Sequence, residues 1–266
     1  MIEDKQVLVI DVGNTFIHWG IVQDGKLVGD YNRNLHSELS LLPWDEVKKK
    51  NYTVVIAGSI PHINDSAQEI NFNYGIKFIS IKTETQKIIK NTYPTLGIDR
   101  VCNLIGALNS EKLAAGGTQL TGLSSIVIFD FGTATTATAS DLKGNFLGGL
   151  IKTGFETELK ALGTRTFTLP HVEIARECKI NELNPLAIST DESMLQGVII
   201  GQIAFVEYYL KLFEEKYKAK PKVVLTGGNA SIVTRFFDKY DLSDPYLTLK
   251  GIYYAYVGAS QLQSAK

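Results

Sequence analysis

The sequence predicts an α/β protein assembled from two similar halves, each on a mixed sheet. Three observations carry that prediction. An apolar run ending in Asp-x-Gly occurs twice, as Val7-Leu8-Val9-Ile10-Asp11-Val12-Gly13-Asn14-Thr15 and as Ile126-Val127-Ile128-Phe129-Asp130-Phe131-Gly132-Thr133-Ala134. Each copy is followed by a turn signal, Asp24-Gly25-Lys26 in the first half and Asp141-Leu142-Lys143-Gly144-Asn145 in the second. Beyond these meanders, strand-like and helix-like segments alternate, the pattern of an α/β domain. A three-strand meander needs antiparallel neighbours, so the sheets are expected to be mixed and not purely parallel.

In the first half, residues 6–10, 16–22, 26–33 and 53–57 read as strands. A helix is expected after Asn64 and a strand over 76–81. Residues 99–115 read as a helix, because Val101, Leu104, Ile105, Leu108 and Leu113 recur near helical spacing. The stretch Ala115-Gly116-Gly117-Thr118-Gln119-Leu120-Thr121-Gly122 is the expected junction, the alternative being a surface loop inside a single domain. It divides the chain into domains 1–120 and 121–266. The second half restarts with strands at 125–129, 133–139 and 146–151, then a long helix over 191–215. A strand at 222–225 runs into Thr226-Gly227-Gly228-Asn229, and two helices follow, one after Asn229 and one from Lys250 onward.

Composition excludes several classes. With 44% hydrophobic residues in a chain of 266, there is enough apolar material for a core of one large or two smaller domains. Lys and Arg number 27 against 28 Asp and Glu, so no global field favours nucleic acid or a membrane surface. Two cysteines, Cys102 and Cys178, allow one disulfide but not a disulfide framework, and a reducing cytoplasm is the expected setting. Residues 1–6 lack the basic start and cleavage site of a signal peptide. The longest apolar stretch, residues 194–213, is interrupted by Gln196, Gln202, Glu207 and Lys211, which argues against a membrane span.

The chemistry concentrates in four motifs. In the first Asp-x-Gly turn, Gly13 allows backbone N–H groups to approach phosphate oxygens, while Asn14 and Thr15 add side-chain donors. Asp11, at the strand end, offers a hard oxygen ligand for Mg²⁺, directly or through water. An isolated Asp-x-Gly is what any hairpin produces; the second copy at Asp130-Phe131-Gly132-Thr133 is what points to a nucleotide triphosphate held in a cleft by both. Thr226-Gly227-Gly228 lets backbone lie against a flat group such as an adenosine, or is simply a glycine-rich connection from strand to helix. In Tyr93-Pro94-Thr95-Leu96-Gly97-Ile98-Asp99-Arg100, Asp99 is either the cap of the following helix or a base for a substrate hydroxyl. Arg100 is either a solvated charge or the partner of a substrate carboxylate. Gly20 to Leu27 imitates a P-loop but has Leu27 where Ser or Thr is needed, and no Gly-x-Gly-x-x-Gly occurs. No Cys/His group has zinc spacing.

In order along the chain, Asp11-Val12-Gly13-Asn14-Thr15, Tyr93 with Gly97-Ile98-Asp99-Arg100, Asp130-Phe131-Gly132-Thr133-Ala134-Thr135-Thr136, Gly148-Gly149-Leu150-Ile151, Leu169-Pro170 and Thr226-Gly227-Gly228 resemble the type III pantothenate kinases. These belong to the actin-like, acetate- and sugar-kinase-like ATPase superfamily. The resemblance implies two duplicated ribonuclease-H-like domains with an interdomain cleft, a homodimer, and ATP-dependent phosphorylation of pantothenate on the way to coenzyme A. It implies Mg²⁺ and a monovalent cation, K⁺ or NH₄⁺. Carried over by residue, Asp11, Val12, Gly13, Asn14, Thr15, Phe16, Ile17 and His18 form the first phosphate loop, and Thr133 touches ATP. Asp99 is the proton acceptor. Tyr93, Gly97, Ile98, Asp99, Arg100 and Thr190 line the pantothenate site, and Asp130 binds the monovalent cation. Three positions depart from the family pattern: Thr138 stands where an Asp is usual, Thr153 where a Pro is usual, and Ser189 where an Asn precedes the threonine. Two other readings keep the fold: a non-catalytic regulator that binds nucleotide or pantothenate, and a kinase of another small hydroxyl acceptor.

Overall fold

The structure, a computed structural model, describes residues 6–13, 15–28, 31–58, 63–114, 125–174 and 180–264. The chain forms two compact units. The first holds residues 1–111, 144–146 and 246–266; the second holds 112–143 and 147–245. A single cut at residue 120 does not reproduce this grouping, because the C-terminal helix packs with the first unit. The junction expected at 115–122 lies outside the described residues, as do Asn14 and Cys178.

In the first unit β1 (Val7–Val12) and β2 (Phe16–Gln23) form an antiparallel hairpin. β5 (Thr53–Gly58) lies parallel to β1 on its other side, and β6 (Phe78–Ile81) lies parallel to β5. The strand expected over 26–33 is two short ones, β3 (Lys26–Leu27) and β4 (Asn32–Leu35), each pairing with a different part of β2. The β2–β3 turn is two residues, Asp24 and Gly25, with φ of 51° and 72°. Two consecutive positive φ values match the twist of a tight hairpin. A Cβ on Gly25 would run into the Tyr254 hydroxyl, so only glycine fits.

β1 is buried along its whole length. Leu8, Ile10 and Val12 join Ile17, Val54 and Ile56 in a core closed by Trp44 and Val47 of α1 (Trp44–Lys49) and Ile70 of α2 (Ile63–Tyr74). Side chains alternate along a strand, so Asp11 points to the opposite face. That face is covered by α8 (Leu247–Ser264), which packs on β1, β2 and β5 and against α3 (Ile98–Leu108). The helix expected over 99–115 stops at Leu108; Asn109 is its cap, and both its backbone N–H and its Nδ2 donate to the Ile105 carbonyl, the latter at 2.8 Å. A separate turn of helix, α4, covers Glu111–Ala114.

The second unit repeats the wiring. β7 (Ser125–Phe131) pairs antiparallel with β8 (Ala134–Asp141), and β9 (Phe146–Thr153) follows at the edge. β10 (Lys222–Thr226) lies parallel to β7 and β11 (Leu242–Ser243) parallel to β10. The orders β3-β2-β1-β5-β6 and β9-β8-β7-β10-β11 are one topology twice, the duplicated ribonuclease-H-like arrangement. One face of this sheet is a core of Val127, Phe129, Phe131, Val223 and Leu225 against α5 (Phe155–Arg165), α6 (Thr190–Tyr217) and α7 (Ala230–Val233). α5 and α1 carry no sequence expectation. No helix among the described residues is long and apolar enough to cross a membrane.

Candidate active site

Both Asp-x-Gly aspartates occupy the penultimate position of the central strand of their sheet, Asp11 in β1 and Asp130 in β7. Asp11 stands opposite His18 and Ala57; Asp130 stands opposite Thr136 and Thr226. The two turns that follow differ by one residue. Gly13 N–H donates to the Phe16 carbonyl at 2.9 Å, whereas Gly132 N–H donates to the Ala134 carbonyl at 3.1 Å. The first turn is therefore the wider. Within it Val12 and Ile17 point into the core, so only their backbone faces a ligand. Phe16 lies under the Arg33 guanidinium, 3.3 Å from its ring centroid. His18 Nδ1 is 3.7 Å from Asp11 Oδ2, too far for a hydrogen bond, and its ring stacks on Tyr31 with centroids 5.8 Å apart.

The first unit brings Tyr93, Gly97, Asp99 and Arg100 together through a long loop and the start of α3. Gln86, almost fully buried, organises the loop backbone. Its Nε2 donates to the carbonyls of Thr83 and Ile89, and its Oε1 accepts from the N–H groups of Ile88 and Ile89. Thr83 Oγ1 donates to the Leu96 carbonyl at 2.9 Å and closes the loop just before the helix. No sequence expectation covers Gln86 or Thr83; a polar pair inside an irregular stretch was the available sign.

The cap of α3 is Gly97, not Asp99. Asp99 sits in the first helical turn with its carboxyl folded back over Gly97, so that a Cβ on Gly97 would collide with Asp99 Oδ1. Asp99 is open to solvent on one side and crowded by protein on the other. The crowding, then the negative charge of Asp11, holds its pKa above the ordinary carboxylate value. Backbone N–H groups at the helix start and the Arg100 charge oppose that rise without cancelling it. Ile98 points into the core. Arg100 is 4% exposed and its Nη1 donates to the Tyr93 hydroxyl at 3.2 Å. Far from being a solvated charge, it is a buried cation aimed at a half-exposed phenol. Cys102 is buried in the same helix, and burial pushes its thiol well up, followed by the charges of Asp11 and Asp99. It stays protonated and packs as a small apolar residue.

In the second unit the turn after Asp130 is clamped from two sides. The Thr133 carbonyl accepts from Gly154 N–H at 3.1 Å and from Thr157 Oγ1 at 2.6 Å, which ties the turn to the start of α5. A Cβ on Gly154 would collide with the Gly132 carbonyl. On the other side, Gly227 has φ of 90°, and a Cβ there would strike Asp130 Oδ1 and lie 2.6 Å from Phe131 N. Asn229 N–H donates to the Phe131 carbonyl at 3.1 Å. Thr133 itself is exposed and Asp130 half-buried. Thr138 is 1% exposed, opposite Ile128 and on the same face of the sheet as Asp130. Thr190 is the exposed first residue of α6, capped by Ser189, whose Oγ accepts from Glu192 N–H. Among the described residues no group of three or more His, Cys, Asp or Glu side chains forms a metal cage.

Residues 7–212 match the type III pantothenate kinase family. A type III pantothenate kinase of Persephonella marina is 29% identical over 269 aligned residues, covering 95% of this chain and 99% of that one. One of Bacillus cytotoxicus is 28% identical, covering 98% and 99%. Among solved structures, the activator of the 2-hydroxyisocaproyl-CoA dehydratase from Clostridium difficile, with bound ADPNP, shares the fold with a TM-score of 0.51 at 14% identity, covering 98% of each chain. With a family match spanning most of its length and relatives aligned over nearly the whole chain, the chain belongs to the type III pantothenate kinases.

Proposed function

We propose that the protein transfers the γ-phosphoryl group of ATP to the primary hydroxyl of pantothenate, an early step towards coenzyme A. The observation that carries this reading is the group in the first unit: a carboxyl of raised pKa at Asp99, a buried Arg100 on Tyr93, and Asp11 close enough to Asp99 to act on it electrostatically. Asp99 accepts the proton of the hydroxyl as the oxygen attacks phosphorus; a raised pKa makes it a better base, provided it is ionised at working pH. Tyr93 and Arg100 hold the polar groups of the acceptor. The two Asp-x-Gly turns, each in its own unit, are the segments that would hold phosphate oxygens, and positioning with charge stabilisation supplies most of the rate in phosphoryl transfer.

The donor set fits the expected cations. The mutual repulsion of Asp11 and Asp99 marks a place where a divalent cation is favoured. Without a protein cage, Mg²⁺ would be held by Asp11, water and the phosphates, as this ion usually is. Asp130 would hold K⁺ or NH₄⁺. When bound, these ions neutralise charge on the phosphates. A homodimer is part of the reading. It is supported by exposed apolar side chains in the second unit: Leu150 and Ile151 on edge strand β9, Leu186 and Ile188 before α6, and Tyr208 and Leu212 on it.

The test is ATP-dependent phosphorylation of pantothenate with Mg²⁺, in potassium and then in sodium buffer, read by mass spectrometry. Phosphopantothenate in potassium is expected, with less in sodium. Turnover equal in both buffers would remove the cation role of Asp130 and leave the kinase. No product from folded, ATP-binding protein would overturn the kinase reading for pantothenate, and a panel of other hydroxyl acceptors would then separate a different kinase from a regulator.

A further inference from the structure

The acceptor loop is strapped to a segment far away in sequence. Lys90 N–H donates to the Gly144 carbonyl at 2.8 Å, and Phe146 N–H donates back to the Lys90 carbonyl at 2.9 Å. Asn91 Nδ2 reaches Asn145 Oδ1 at 3.3 Å. Gly144 permits this approach: its φ is 77°, and a Cβ would press on the Ile88 carbonyl. Residues 144–146 accordingly belong to the first unit.

The strap delivers one side chain to the site. The Phe146 ring meets Tyr93 edge to face, with centroids 5.8 Å apart and planes at 66°. Tyr93 lies outside regular secondary structure and is 42% exposed. Its hydroxyl meets the buried Arg100 at 3.2 Å, a distance that a modest swing of the ring would break. A half-exposed tyrosine on a loop has free rotamers unless something blocks them, and an edge-to-face aromatic partner blocks them with a directional contact.

We propose that Phe146 is a positioning residue for pantothenate: it fixes the Tyr93 ring so that the hydroxyl stays on Arg100 and both present one surface to the acceptor. This rests on Tyr93 and Arg100 being the acceptor site. Phe146 does not touch the reacting atoms and acts through Tyr93, so its removal should be felt in acceptor binding and not in the handling of ATP.

The experiment is steady-state kinetics of the full-length protein, varying pantothenate and ATP separately, for Phe146→Leu, Tyr93→Ala, the double variant and Phe146→Tyr. Phe146→Leu is expected to raise the KM for pantothenate about threefold to tenfold, the range of an aromatic edge contact, with the KM for ATP unchanged. Phe146→Tyr, which keeps the ring, should restore the wild-type value. In the Tyr93→Ala background, Phe146→Leu should have no further effect. A Phe146→Leu variant with normal pantothenate KM, or one whose effect adds in full to that of Tyr93→Ala, would overturn the proposal while leaving the acceptor site intact. A Tyr93→Ala variant with unaltered pantothenate KM would overturn the acceptor-site reading itself, and the proposal with it. Should Phe146→Leu fold poorly, Phe146→Met, unbranched and better able to fill the gap, carries the same expectations.

Discussion

Asp99 sets function against stability. Its carboxyl has a higher pKa folded than unfolded, so the folded chain binds the proton more tightly. Stability therefore falls as pH rises from the ordinary carboxylate value through the raised one, and at neutral pH the ionised group opposes folding. Asp99→Asn is expected to raise Tm at neutral pH, with a smaller gain at a pH near the ordinary carboxylate value. The same change should lower kcat by roughly 10²–10⁴, the usual contribution of a general base. Thermal unfolding at the two pH values, beside single-turnover kinetics, checks both signs; a variant that lost stability or kept full activity would contradict the assignment. The residue type and its place beside Arg100 were readable from the chain. What the chain did not disclose is that Gly97 takes the cap and leaves the Asp99 carboxyl unengaged by that duty. That outcome depends on the backbone angles at one junction, which the letters Gly-Ile-Asp-Arg do not fix.

At the scale of elements, the pair α3 and α8 carries the proposed acceptor residues. α3 presents Asp99 and Arg100 at its start, and α8 backs it where it crosses β1, β2 and β5. The helices approach closely enough for backbone contact. A Cβ on Gly251 would run into the Cys102 carbonyl, and one on Gly106 would press on the Leu247 carbonyl. Thr248 Oγ1 donates to the buried Asn103 Oδ1 at 2.7 Å and fixes the register of the pair. Gly251→Ala should cost about 1–3 kcal/mol, the usual penalty for overpacking against backbone that cannot yield. Urea denaturation would measure it; an unchanged midpoint would show that the helices part easily. Periodicity at Val101, Leu104, Ile105 and Leu108 announced α3, but the break at Asn109 did not show there. The helix ends at an asparagine cap, with no glycine or proline to mark the spot.

Across the whole molecule, the same wiring occurs twice, but the units are not two consecutive halves. α8 joins the first unit, and so do residues 144–146. In the second unit, exposed apolar side chains occupy an edge strand and the approach to α6, next to Thr190. If these form the contact of a homodimer, a charge at Ile188, which is 97% exposed, would be tolerated by the fold and not by the assembly. Ile188→Glu is expected to weaken self-association at least about tenfold, the lower range for a buried interface anchor, with Tm of the isolated chain little changed. Sedimentation equilibrium reads this directly; an undisturbed dimer would move the interface elsewhere.

The sequence by itself determined the mixed α/β class, the two Asp-x-Gly turns and the Gly97 to Arg100 segment. Each is local: a strand that ends in a turn needs its glycine and its small polar residues in consecutive positions. Tertiary structure alone decided that Arg100 is buried on Tyr93, that Gly154 and Gly227 clamp the second turn, that Gln86 shapes the loop before α3 and that Phe146 meets Tyr93. These pairings join residues brought together by packing, and a close approach between distant backbones leaves no period or spacing in the chain to read.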